Sequence, residues 1–181
     1  DMTVLLGDYI TEHRFQKGRV ADDAWSQALG ILRAPLGVHA ILGNHDWWSD
    51  RPAQSARKGP VFAHRALERA GIPVYNNDVV RLTKGNHPFW LAGLGDQLAL
   101  INRNAPKHHR STGLDDLGGT LAKVTDDAPV ILLAHEPDIF PRVPDRVAVT
   151  LSGHTHGGQV RLLGYSPVVP PRFGNRFAYG H

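Results

Sequence analysis

Three observations predict an α/β domain with a mixed sheet. Short apolar runs bounded by Gly, Asn, Asp or Pro alternate with longer segments of helical period. Residues 72–94 hold strand-like runs with no helix between them, which reads as an antiparallel meander. The residues with chemical potential sit just after strand-like runs, and ligands of open α/β sheets bind at the carboxyl ends of strands.

Strands are predicted over residues 3–6, 38–42, 74–75, 79–82, 89–94, 130–134 and 147–151. A helix is predicted over residues 20–33, where Val20, Ala24, Ala28, Leu29, Ile31 and Leu32 recur at helical spacing and Asp22 and Asp23 suit the positive end of the dipole. A second spans residues 62–70, closed by Gly71. A third covers residues 114–124, although Gly118 and Gly119 oppose it.

At 181 residues the chain is long enough for one domain, taken as residues 1–181. No stretch approaches the roughly 18 consecutive apolar residues of a membrane span. The absence of cysteine excludes disulfides and thiolate ligands. The net charge of +3, without a dense Lys/Arg run, favours anionic substrates without selecting nucleic acid. Eleven histidines carry more information, because imidazole and carboxylate are the strongest transition-metal ligands left. The chain enters an apolar run at once and ends on Tyr179-Gly180-His181 with no closing element, so it is expected to be cut at both ends and its targeting to be unreadable.

Four motifs follow strand-like runs. Gly7-Asp8 places a carboxylate at a tight turn, and alone it is as well read as a turn. Gly43-Asn44-His45-Asp46 gathers an amide, an imidazole and a carboxylate, and a His followed by Asp permits an acid oriented by a carboxylate. The competing reading is a Gly-Asn turn with a solvated histidine. His135 follows the apolar run 130–134 and would emerge from a buried strand, either as a ligand or as a hydrogen-bonded, partly buried histidine. In Gly153-His154-Thr155-His156-Gly157-Gly158-Gln159, two histidines one residue apart among three glycines have little packing use, so a metal site is the favoured reading.

Taken in order, these motifs resemble the signature of the calcineurin-like metallophosphoesterase family. Within it the chain is similar to the bacterial YkuE/YaeI-like branch, through Gly43 to Trp48, Ala92-Gly93-Leu94-Gly95-Asp96, Leu132 to Asp138 and Leu151 to Gln159. The resemblance implies an αββα sandwich with mixed sheets and a phosphomonoester, phosphodiester or pyrophosphate hydrolase with a dinuclear centre. It implies two divalent transition-metal ions, Mn, Fe or Zn, with Asp8 bridging and Asn44, His135 and His154 completing one site. His156 would belong to the other, whose remaining ligands the family takes from an Asp-x-His motif that this sequence lacks. One well-formed site and little activity are therefore expected of these 181 residues.

His45 is expected beside the metals without ligating them, as the group facing the leaving group, with Asp46 setting its tautomer. Trp47 and Trp48 are expected to form an aromatic wall for an acyl chain or a base, against the alternative of packing onto the core. The implied partner is a phosphate ester, diester or lipid-linked, with no specific nucleic acid. Membrane proximity or an extracytoplasmic location follows from resemblance alone, and the oligomeric state stays open. Two rivals remain: an inactive phosphoesterase-fold scaffold, opposed by the retained Asn44, His45, His135, His154 and His156, and a nuclease of the same superfamily, opposed by the lack of an interleaved basic-aromatic patch.

Overall fold

Strand β1 (Thr3–Leu5) and strand β2 (Val38–Ala40) pair in parallel, with helix α1 (Asp22–Leu29) between them in sequence. The structure is a computed structural model that describes residues 1–10, 17–106, 110–157 and 177. After β2 come three helices, α2 (Asn44–Trp48), α3 (Arg51–Ala56) and α4 (Phe62–Arg69). Val74, read as part of a strand, joins β2 only through an isolated bridge to Ala40.

The predicted meander is a hairpin of β3 (Asp78–Lys84) and β4 (His87–Gly93), paired from Asp78–Gly93 to Lys84–His87. Its loop is Gly85-Asn86, and Gly85 at φ 59° provides the left-handed residue that a two-residue hairpin loop requires. A small pair, β5 (Leu100–Ile101) and β6 (Ser111–Thr112), precedes α5 (Leu117–Leu121). Then β7 (Val130–Ala134) adds in parallel to β4, a 3₁₀ helix spans Pro137–Arg142, and β8 (Val147–Ser152) adds in parallel to β7. The sheet β3-β4-β7-β8 is thus mixed, as predicted.

Side-chain alternation sets the layering. From residues 40–42, Ile41 points into a cluster with Leu91, Leu133 and Tyr75, while Ala40 and Leu42 join Trp47, Leu67 and Ile72. From β7, Ile131 and Leu133 face that same inner cluster, while Val130, Leu132 and Ala134 pack with Leu117 and Ile139. Two sheets therefore meet face to face, with α1 and α4 outside one and α5 and the 3₁₀ helix outside the other. This is the helix–sheet–sheet–helix sandwich that the resemblance implies. Each fully buried Leu or Ile in these layers contributes about 1.5–3 kcal/mol of transfer free energy.

Two predicted helices are shorter than expected. The segment 20–33 is helical only over α1, because Gly30 weakens the helix and Pro35 restrains the residue before it. The segment 114–124 keeps only α5, since the Asp116 carboxylate caps it by accepting from Gly119 N–H at 2.8 Å. Helices α2, α3 and the 3₁₀ turn have no predicted counterpart, being too short to display an apolar period.

Candidate metal centre

Strands β1 and β2 run parallel, as do β7 and β8, so the four motifs emerge at strand ends that the facing sheets bring together. Asp8, His135 and His154 each offer a ligand atom, and these atoms lie within 4.8 Å of one another. His135 Nε2 is 3.1 Å from Asp8 Oδ2, and His154 Nδ1 is 2.9 Å from Asn44 Oδ1. The two imidazoles meet edge to face with centroids 5.2 Å apart. One carboxylate, one amide oxygen and two imidazoles thus converge from four loops.

The backbone is bent to achieve this. Asp8 at φ 60°, His154 at φ 62° and His156 at φ 52° all occupy the left-handed region that residues with a Cβ rarely adopt. Gly43 makes room for the cluster: a Cβ there would collide with Asp8 Oδ1 and approach His135 Cε1 to 2.6 Å and Nε2 to 2.7 Å. Ligand side chains lie directly against that backbone.

Orientation and charge fit a cation. His135 Nδ1 lies 2.5 Å from the Leu6 carbonyl, which accepts its N–H and turns Nε2, buried and otherwise without a hydrogen-bond partner, toward Asp8. A histidine ligand commonly donates its second N–H in this way. Burial acts to lower the His135 pKa, but the hydrogen bond and charge of Asp8 outweigh it and hold it at about 8. Burial likewise opposes ionisation of Asp8, yet His135 and the His45 N–H, 3.0 Å from Oδ1, keep its carboxyl below the usual range. Burial, then the charge of His135, presses His154 down to about 4. The set offers hard oxygen and borderline nitrogen donors, the mix that Mn, Fe and Zn accept.

The remaining expected site residues divide. The His45 ring lies 5.3 Å from that of Trp48, centroid to centroid, and its backbone N–H reaches Asp8. Asp46 is fully buried and does not hold the His45 ring. Its Oδ2 accepts the N–H of Asp8 and of Gly43, both at 2.9 Å, and its Oδ1 those of Tyr9 and Ile10 at 2.8 and 3.2 Å. The tautomer-setting role expected of it is corrected to that of a clasp joining the β1 and β2 loops. Burial and the neighbouring Asp8 charge push its carboxyl up to about 7, against those N–H groups.

Trp47 is 1 % exposed and packs in the core beneath α4, so the expectation that it lines substrate is overturned in favour of the packing alternative. Trp48 is half-buried, its indole N–H donating to the Leu98 carbonyl at 2.8 Å. His156 is exposed and stands outside the Asp8–His135–His154 group, and Gly158 and Gln159 of its motif lie outside the described residues.

Sequence reasoning quoted Asp96 and Glu136 within family-like stretches and gave neither a role, yet the two form a carboxyl pair beside His135. Asp96, after β4, and Glu136 are both buried and gather with His135. Burial and the Glu136 charge push Asp96 well above the usual carboxylate range. The signal was present: an acid directly after His135 and another after the apolar β4 run.

The chain is 32 % identical over 151 residues to the uncharacterized metallophosphoesterase YkuE of Bacillus subtilis, covering 82 % of this chain and 46 % of that protein. It is 33 % identical over 171 residues to a bovine transmembrane protein with metallophosphoesterase domain, covering 88 % and 34 %. It is 30 % identical over 190 residues to the UDP-2,3-diacylglucosamine pyrophosphatase LpxG of Chlamydia muridarum, covering 90 % and 55 %. The chain spans about half the length, or less, of these relatives. No solved structure matches it. A family model described as calcineurin-like phosphoesterase matches residues 1–158, a span that includes Asp8, Asn44, His135 and His154, and the chain belongs to that family.

Proposed function

We propose that the protein hydrolyses a phosphodiester or a pyrophosphate, with a lipid-linked ester as the favoured substrate. The observation that carries this reading is the convergence of Asp8, Asn44, His135 and His154 with His45 beside them. The name of the chlamydial relative, a pyrophosphatase of a diacylated sugar nucleotide, supports the substrate class, and that of the bovine relative supports membrane proximity. No helix among the described residues is long and apolar enough to cross a membrane.

Two divalent ions, when bound, supply Lewis-acid polarisation of the phosphoryl oxygens and offset charge developed in an in-line displacement. Asp8, Asn44, His135 and His154 would hold one ion, and His156, exposed and outside that group, would serve the second. Asp8, kept ionised, presents two oxygens. The Leu6 carbonyl fixes the His135 ring, and the Asp46 clasp fixes the backbone of Gly7-Asp8 against Gly43. His45 gives a proton to the departing oxygen or stabilises its charge.

The test is hydrolysis of an aryl phosphodiester by the full-length protein with Mn²⁺, its loss on chelation, and a parallel incubation with duplex DNA. Chelator-sensitive turnover of the diester without DNA cleavage supports the reading. Metal binding without turnover would leave a scaffold, and DNA cleavage a nuclease.

A further inference from the structure

Beside His45 opens a groove of about 620 Å³ that the metal chemistry does not use. Trp48 belongs to both, since its ring lines the groove and also meets the His45 imidazole at 5.3 Å. Arg51, in the first turn of α3, and Arg103, just after β5, line the rest with Asn102, Asn104 and Ser55. No Asp or Glu lines it. Both arginines are exposed, and the ion pairs among the described residues engage other arginines, so neither guanidinium is neutralised there. Five other arginines do pair with acids, as in Arg81 with Asp126 and Arg69 with Asp23.

The groove is preformed. Gln54 donates from Nε2 to the Ala99 and Trp47 carbonyls, at 2.6 and 3.2 Å, and accepts from Ile101 N–H at 2.9 Å, tying α3 to β5. The two arginines are thereby held on opposite elements of one rigid frame. The Trp48 ring is fixed by its bond to Leu98. Two guanidiniums with no acid partner among the described residues, beside a fixed indole, suit phosphate oxygens next to a planar group, because guanidinium binds such oxygens in forked pairs and the indole offers a stacking face.

We propose that this groove binds a second phosphate of the substrate, held by Arg51 and Arg103 with an adjoining planar group on Trp48, so that the protein selects nucleoside-diphosphate-type pyrophosphates over simple diesters. The inference rests on the phosphoesterase reading and deepens it. Arg51 and Arg103 act as specificity-determining residues that touch the non-reacting phosphate.

Two measurements on the full-length, Mn²⁺-loaded protein test it. Calorimetric titration is expected to show ADP binding more tightly than AMP, and the double variant Arg51→Ala, Arg103→Ala losing affinity for ADP about ten- to hundredfold, as removal of charge-assisted bonds implies. The kcat/KM ratio for ADP-ribose over an aryl phosphodiester is expected to fall at least about tenfold in that variant. Both arginines are exposed, so the variant keeps its core, which unchanged Mn²⁺ binding verifies. Equal ADP affinity in wild type and variant, or no preference for ADP over AMP, overturns the groove assignment even if diester hydrolysis is intact. Loss of ADP binding in the variant of a protein that hydrolyses neither substrate upholds the groove while sinking the hydrolase reading.

Discussion

His154 Nδ1 lies 2.9 Å from Asn44 Oδ1 although 110 residues separate them in the chain. A hydrogen bond joins the pair, and an ion bound beside Asp8 would draw on the same amide and imidazole. Asn44→Ala removes an oxygen donor and the partner that orients His154. Mn²⁺ affinity of the full-length protein is expected to fall at least about tenfold, the scale on which orienting partners act. Calorimetry reads this directly, and unchanged affinity would remove Asn44 from the ligand set.

His45 differs in kind. Its backbone N–H touches Asp8, but its imidazole belongs to none of the ligand groupings and meets Trp48 instead. In the full-length enzyme His45→Ala is expected to lower kcat by about 10²–10⁴-fold while bound metal stays constant. Parallel loss of metal and turnover would make His45 a ligand.

Proton competition gives the site a pH dependence. Burial acts to lower the His135 pKa, but Asp8 holds it at about 8, above the ordinary 6.5. Below about pH 8 an ion held by His135 would have to displace one proton from it. His154, pressed down to about 4, adds no competing proton near neutrality. Apparent Mn²⁺ affinity is expected to drop about tenfold between about pH 7 and pH 6. In the metal-free protein the sign reverses: a folded pKa above the unfolded value stabilises fully below 6.5, and that contribution is lost as pH rises through about 8. Pairing Mn²⁺ titrations with thermal unfolding of the metal-free protein separates the two, and a flat affinity profile would show that His135 is neutral before metal arrives.

Asp46 offers a structural counterpart. Its two oxygens accept four backbone N–H groups from two loops. Asp46→Ala strands those buried donors, each worth about 1–3 kcal/mol. Destabilisation of about 3 kcal/mol or more is expected in denaturant unfolding, together with weakened metal binding. A variant with wild-type stability and lowered kcat alone would restore the catalytic role that its bonds do not provide.

How much of this was legible beforehand depends on range. The four motifs are local, each a few residues after an apolar run, and the expectation that Asp8, Asn44, His135 and His154 gather came from the family resemblance laid on those positions. The strands β1 to β4, β7 and β8 were readable because alternation and apolar runs survive in short segments, whereas the two-residue β5 and β6 are too short to carry either. Asp46 was misread because three of its four partners lie 36–38 residues away and all four are backbone groups, which carry no sequence signature. Trp47 and Trp48 are adjacent and identical in type, yet α2 turns one into the core and leaves the other beside His45. Helix α2 itself was missed because its buried residues are Asn44, Asp46 and Trp47, which form no apolar period.

Gly43 gives the sharpest test of whether the cluster is built as described. It sits between the end of β2 and α2, at φ −114°, a conformation open to any residue, so backbone strain does not require glycine there. What requires it is crowding: an added Cβ collides with Asp8 Oδ1 and comes within 2.6 Å of His135 Cε1. Neither neighbour can withdraw freely. Asp8 is held by the His45 N–H and by His135, and the His135 ring is pinned by Leu6. Gly43→Ala must therefore push the Asp8–His135 pair apart or shift the β2 loop and break the Asp46 bond to Gly43 N–H. Either displacement would separate atoms that, as ligands of one ion, would each lie about 2.0–2.3 Å from it. The expected result is loss of Mn²⁺ binding by about tenfold or more, with destabilisation of about 1–3 kcal/mol from overpacking. Gly71→Ala is the matched control, because the space around Gly71 is open and its φ of 80° makes that substitution strained without touching the cluster. It is expected to lower stability and leave Mn²⁺ affinity intact, so that a Gly43→Ala protein with unimpaired metal binding would show that Asp8 and His135 do not share the ion.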